Sequence, residues 1–346
     1  MRHEYFGRFA GCALVAMAVA VGMPAPAAAN GELNIYSARH YDTDDVLFDE
    51  FKERTGITVN RIEGKSDELI ARMQAEGENS PADVFLTVDA GRIWRADEAG
   101  LLSPVDSEVL KERIPPHLRH PDGHWFGMSQ RARIIFYAKD RVEDPPQTYE
   151  ALADDQYDDM VCSRSSSNIY NLSLMASIIE THGRDTAKEW AAGVYENMAR
   201  EPQGNDTDQL RGIVSGECDI AIANHYYYVR ALVSDVEGVT DSTDEIGWVW
   251  PNQSGRGAHV NLAAAAVTAN APNRENAVAF LEFLTSDFAQ SHFAKQNNEF
   301  PAVPGVPLDQ GVAQLGYFIP DTSTGAEVYG ENAPEAQAVF NEVGWP

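Results

Sequence analysis

Five tyrosines stand where a strand-like run gives way to a loop or helix: Tyr41, Tyr170 and the run Tyr226-Tyr227-Tyr228. A phenolate is a hard oxygen donor, and hard donors suit small, highly charged cations. A phenol ordinarily titrates near pH ~10, so it ligates at neutral pH only where a strong positive charge favours ionisation. A trivalent ion such as Fe3+ supplies that charge, whereas Ca2+ and Mg2+ more often recruit carboxylates and water. Tyrosines in a run are also ordinary packing aromatics with hydroxyls near water, and both readings stay open at this point. If a turn begins at the run, neighbouring side chains diverge and two of the three phenols can face one ligand.

Several phenolates around one Fe3+ leave negative charge in surplus, which arginines can offset. Arg230 lies one helical turn beyond Tyr226 and Tyr227, and Arg131 and Arg133 lie beside a strand that leads between two halves of the chain. Each of them also reads as a solvated or lobe-bridging arginine. His40 precedes Tyr41 and reads either as a ligand or as a hydrogen-bond partner of one. Ser165-Ser166-Ser167 follows a strand and precedes a helix, a place that can bind an oxyanion or simply cap the helix. No G-x-S-x-G, H-E-x-x-H, P-loop or G-x-G-x-x-G is present, so an enzyme is not expected.

The elements around these residues alternate. Strands are expected at 33–37, 57–60 and 84–88, with helices between them. Two closely spaced strands are expected at 125–129 and 133–137, then others at 161–163, 218–223, 247–251 and 260–267. A helix is read as starting at Val229, and the last ~80 residues as mostly helical. Alternation of this kind argues for an α/β fold with parallel sheets and right-handed crossovers. Ligands in such sheets sit outside the carboxyl ends of the strands, where the tyrosines fall. The expected division is 1–29 as an export signal, 30–130 as the first part of lobe 1, 131–254 as lobe 2, and 255–346 as a return to lobe 1 with C-terminal helices.

The start carries Arg2 and Arg8, an apolar stretch from Ala10 to Met23, and an Ala-x-Ala pattern ending at Ala29. That is a secretory signal with cleavage expected after Ala29. The chain has 346 residues and a net charge of −27, which argues against nucleic acid and anionic membrane as partners. Cys162 and Cys218 both lie beyond the signal, each beside an expected strand. In an oxidising compartment neighbouring strands would bring them together as a disulfide.

These features resemble a known family, the periplasmic ferric-ion-binding proteins of bacterial ABC importers. The resemblance runs from about Glu32 to the C-terminus. It is carried by Tyr36-Ser37-Ala38-Arg39-His40-Tyr41, Ser80-Pro81-Ala82-Asp83-Val84, Arg164-Ser165-Ser166-Ser167-Asn168, Ala199 to Asp206, Asn224 to Tyr228 and Pro272-Asn273-Arg274-Glu275. It implies a two-lobed periplasmic binding protein fold (type II) with hinge strands, closing on its ligand. Tyr226 and Tyr227 match the family's paired iron ligands, and Tyr41 and Tyr170 match its tyrosine-rich branch. His225 stands where a small polar residue is usual, and Ile169 where an acidic residue is common. The implied protein is a monomeric, non-enzymatic periplasmic receptor for Fe3+. Its metal set is Tyr41, Tyr170, Tyr226, Tyr227 and His40, with Arg230, Arg131 and Ser166 around it, and its partner is an inner-membrane permease. The rivals are a receptor of the same fold for an anion or small organic solute, and a secreted enzyme with a tyrosine–metal centre.

Overall fold

The computed structural model of the chain describes Met1, residues 31–39 and residues 41–346. The expected export signal and His40 lie outside the described residues. Among the described residues nine strands form: β1 Gly31–Ser37, β2 Ile57–Glu63, β3 Val84–Val88, β4 Phe126–Ala138, β5 Val161–Cys162, β6 Ile220–Asn224, β7 Ile246–Val249, β8 Val260–Val267 and β9 Phe300–Pro301. They make two sheets that share β4. The first runs β2-β1-β3-β8-β4, with β9 also on β4. In the second, β4 is flanked by β6 and β7, and β5 lies outside β6.

β1, β2 and β3 pair in parallel, as do β5 and β6. The strands that travel between the halves are antiparallel to their neighbours: β8 against β3, and β4 against β8, β6 and β7. Parallel neighbours need a crossover connection to bring the chain back to the same end. A strand arriving from the other half has none, so the sheets are mixed rather than wholly parallel.

The stretches expected as two strands at 125–129 and 133–137 are one strand of 13 residues. Gln130, Arg131 and Ala132 join them. Two arginines break the apolar pattern, yet both are buried, at 2% and 1% exposure. β4 pairs with β8 up to Ala132 and with β6 from Arg133 onward. One continuous strand therefore carries Arg131 and Arg133 across the junction.

Each sheet buries apolar side chains on both faces. Phe85, Ile93 and Tyr329 gather on one side of the first sheet, and Phe51, Phe126 and Phe280 on the other. In the second half, Phe136, Ile213 and Val229 form one cluster, and Tyr149, Trp190, Ile222, Val339, Phe340 and Trp345 another. The helices Arg274–Leu284 and Asp287–Gln296 follow β8 and pack with the first half. The last helix, Ala333–Val343, instead completes the core of the second. Helical periodicity marks an apolar face without saying which core receives it.

Cys162 and Cys218 form a disulfide, with Cα atoms 5.9 Å apart and a sequence separation of 56. It ties the end of β5 to the approach to β6. Gly212 lies beneath it: a Cβ there would stand 2.8 Å from the Cys218 sulfur and 3.3 Å from that of Cys162. Replacing both cysteines by alanine is expected to lower stability by about 2–4 kcal/mol, chiefly by freeing the unfolded chain. Urea unfolding with and without reductant measures it.

Candidate metal centre

β6 ends at Asn224, and the helix His225–Val233 begins at the next residue. That is four residues before the start expected at Val229. Tyr226 and Tyr227 thus sit in a first helical turn, where backbone N–H groups lack intrahelical partners and the helix dipole favours negative charge. Successive side chains diverge by about 100° around a helix of 3.6 residues per turn. Tyr228 accordingly points away, donating its hydroxyl to the Thr243 carbonyl at 2.9 Å and packing against Phe136 and Trp248.

Tyr170 occupies the equivalent place in the helix Ile169–His182, whose N-cap Asn168 accepts the Tyr170 N–H at 3.1 Å. The Tyr226 hydroxyl donates to that of Tyr170 at 3.2 Å, and the Tyr226 and Tyr227 ring centres lie 4.4 Å apart. Two helix N-termini thus present phenols to one place.

Tyr41 comes from the other half, just past β1. It lies close enough to Tyr170, Tyr226 and Tyr227 for their charges to act on one another. The Arg39 guanidinium stands 4.8 Å over the Tyr41 ring. Arg39 is held by Asp44 at 2.9 Å and by Glu299 at 3.3 Å. Glu299 also accepts from the Ser129 hydroxyl and forms an ion pair with Arg131 at 3.1 Å. That pairing lacks hydrogen-bond alignment, and Arg131 Nη2 is buried with no partner among the described residues.

Burial dominates the titration of the phenols. It pushes Tyr41 up to about 12, with Glu299 adding to the rise and Arg131 and Arg39 opposing it. Burial also raises Tyr226 well above the ordinary phenol range, ahead of the mutual repulsion with Tyr170, Tyr227 and Tyr41; Arg131 opposes it. Tyr227 rises for the same first cause, with Tyr170 next. Without a cation these hydroxyls hold their protons. Arg131 lies near enough to Tyr41, Tyr170 and Tyr226 for its charge to act on all three.

A second set of charges supports Tyr170 from behind. Arg133 and Arg164 lie 5.9 and 5.5 Å from its ring, and both pair with the buried Asp206, at 3.3 and 3.4 Å. Asp206 accepts the Asn224 N–H at 2.9 Å, fixing the β6 end from which the tyrosine helix starts. Asp206 closes the run Arg200-Glu201-Pro202-Gln203-Gly204-Asn205-Asp206, and Asn205 caps the helix Asp206–Ser215 in a capping box.

A family model described as bacterial extracellular solute-binding protein matches residues 47–318. The chain belongs to that family. The solute-binding protein is 48% identical over 339 residues to iron uptake protein A2 of Synechocystis sp., covering 97% of this chain and 96% of the relative. It is similar to a solved structure of Trichodesmium FutA in complex with iron and citrate, with a TM-score of 0.88 and 48% identity over 91% of this chain and all of the other. It is also similar to the ferric binding protein of Campylobacter jejuni, with a TM-score of 0.85 and 40% identity over the same shares.

Of the remaining sequence candidates in this solute-binding protein, Arg230 stands 5.7 Å over the Tyr227 ring. Ser166 turns to the C-terminal segment: its amide donates to the Pro346 carbonyl at 2.7 Å, and its hydroxyl accepts from Gln337 at 3.4 Å. Its partners among the described residues include no phenol. His225 is buried; its Nδ1 accepts the Ala132 N–H at 3.1 Å, and its ring lies 4.5 Å from Phe300. Burial lowers its pKa to about 4, so it braces β4 as a neutral ring. Arg39, Glu299 and Asp206 were missing from the sequence candidates. Glu299 meets Arg39 and Arg131 across 260 and 168 residues of chain, which no local spacing encodes.

Proposed function

We propose that this solute-binding protein is a receptor for Fe3+, with Tyr41, Tyr170, Tyr226 and Tyr227 as phenolate ligands drawn from both lobes. His40, adjacent in sequence to Tyr41, is a further candidate donor. In this reading residues 30–130 and 131–254 supply the two lobes, joined through β4 and β8. The receptor is exported, acts as a monomer in the periplasm, and passes iron to the permease of an ABC importer. No step of the cycle makes or breaks a covalent bond in a substrate, so the protein is not an enzyme.

The contact of the Tyr226 and Tyr170 hydroxyls at 3.2 Å, with Tyr41 near enough for its charge to act on both, carries this reading. The iron named in the Synechocystis and Trichodesmium relatives supports it. The donor set fits: four hard phenolates against three positive charges leave one negative charge.

Ferric citrate added to the protein is expected to produce a visible phenolate-to-iron charge-transfer band. Its absence would instead favour a receptor for an organic solute. Because burial holds Tyr41, Tyr226 and Tyr227 protonated beforehand, each phenolate formed expels a proton. Acid returns those protons and competes with the metal. Apparent affinity should therefore fall on acidification by about tenfold per pH unit for each phenol ionised. Titrations against citrate at several pH values, corrected for the protonation of citrate, measure the slope.

A further inference from the structure

The tyrosine cleft is not the molecule's sole group of converging metal-type donors. Asp97 lies in the last turn of the helix Ala90–Glu98, and His120 and His124 flank the turn Pro121-Asp122-Gly123. The Gly123 amide donates to the His120 carbonyl at 3.0 Å. Gly123 has φ +78°, and a Cβ there would lie 2.5 Å from the Val105 carbonyl oxygen, so the turn admits little else. It stacks the two imidazoles 4.6 Å apart with 16° between their planes, and Trp125 supports His120 edge-on at 6.0 Å. The Asp97 carboxylate faces both rings: Oδ1 is 2.6 Å from His124 Nδ1, and Oδ2 is 3.5 Å from His120 Nε2. One ligand atom from each residue can be chosen so that all lie within 4.8 Å of one another.

We propose that Asp97, His120 and His124 form a second metal site, specific for a borderline divalent ion of the zinc and copper class. Two imidazoles and one carboxylate suit those ions, whereas a hard trivalent ion prefers the all-oxygen phenolate set. The two sites share no residue and sort cations by hardness. The incoming ion replaces the proton held between Asp97 Oδ1 and His124 Nδ1, and the 2.6 Å gap widens to admit it. Ligation at His120 Nε2 requires that ring's proton on Nδ1. The exposed Asp122 amide, which now donates to Nδ1 at 3.1 Å, then turns to water. The side chains are 13–31% exposed, which leaves the ion a route in and room for water to complete its coordination. The bound ion ties the end of the Ala90–Glu98 helix to the residues that lead into β4.

The test adds one equivalent of Cu2+ to tag-free protein and reads electron paramagnetic resonance. Nitrogen hyperfine coupling from two imidazoles is expected, falling to one in His124→Ala and in His120→Ala. Even partners outside the coordination sphere change metal affinity ~10–100-fold, so each substitution should weaken Cu2+ binding by at least about tenfold. Asp97→Asn should weaken it while retaining both nitrogens. Thermal unfolding midpoints without metal verify that the variants fold. A parent spectrum without two-imidazole coupling, or an unchanged spectrum in His124→Ala, overturns the proposal. Neither outcome touches the ferric site, which is read by its charge-transfer band.

Discussion

Tyr226→Phe is expected to weaken ferric binding by more than about 100-fold, the upper end of what loss of an outer-shell partner does, and to diminish the charge-transfer band. Tyr226 is the fully buried phenol of the set, in contact with the Tyr170 hydroxyl and ring to ring with Tyr227. Its replacement removes one of the proposed phenolate ligands and leaves the ring's packing in place. Tyr228→Phe is the matched control, two residues away in the same helix. Its hydroxyl donates to the Thr243 carbonyl, so its loss should leave iron affinity unchanged and lower stability by about 1 kcal/mol. Titration of both variants with ferric citrate separates them; equal affinities would reject the ligand assignment.

The second large effect is expected at Glu299. Its carboxylate is fully buried and serves Arg39, Arg131 and Ser129. Glu299→Ala leaves two buried guanidinium groups short of a counter-charge, and among the described residues Arg39 alone retains another ion-pair partner, Asp44. Removing one member of a buried ion pair destabilises by about 3–5 kcal/mol, and the midpoint of urea unfolding should drop accordingly. Glu299→Gln keeps the shape and removes the charge. Glu299 raises the Tyr41 pKa, so this variant should ionise Tyr41 more readily and retain iron to lower pH than the parent.

The phenols could be found in the sequence because strand-end tyrosines are local features. Tyr226 and Tyr227 sit within two residues of a strand-to-helix boundary and Tyr170 beside a loop-to-helix one, and apolar runs mark the strands before them. Divergence around the helix also separates Tyr228 from its neighbours by local geometry alone. The supporting charges were harder to read. Arg131 and Arg133 look like interruptions of a strand until Glu299 and Asp206 stand beside them, from 168 and 73 residues away. Ser166 has the right place in the chain for an anion contact, but it is engaged by Pro346 and Gln337, which sequence spacing cannot bring near. Antiparallel β8 escaped the alternation rule because strand direction depends on where the chain re-enters the sheet.

The position of Ala333–Val343 constrains how the polypeptide matures. Phe340 and Trp345 are buried beside Tyr149 and Trp190, so the middle of the chain awaits its final residues before that half can close. During synthesis this half stays open until the helix Ala333–Val343 has emerged.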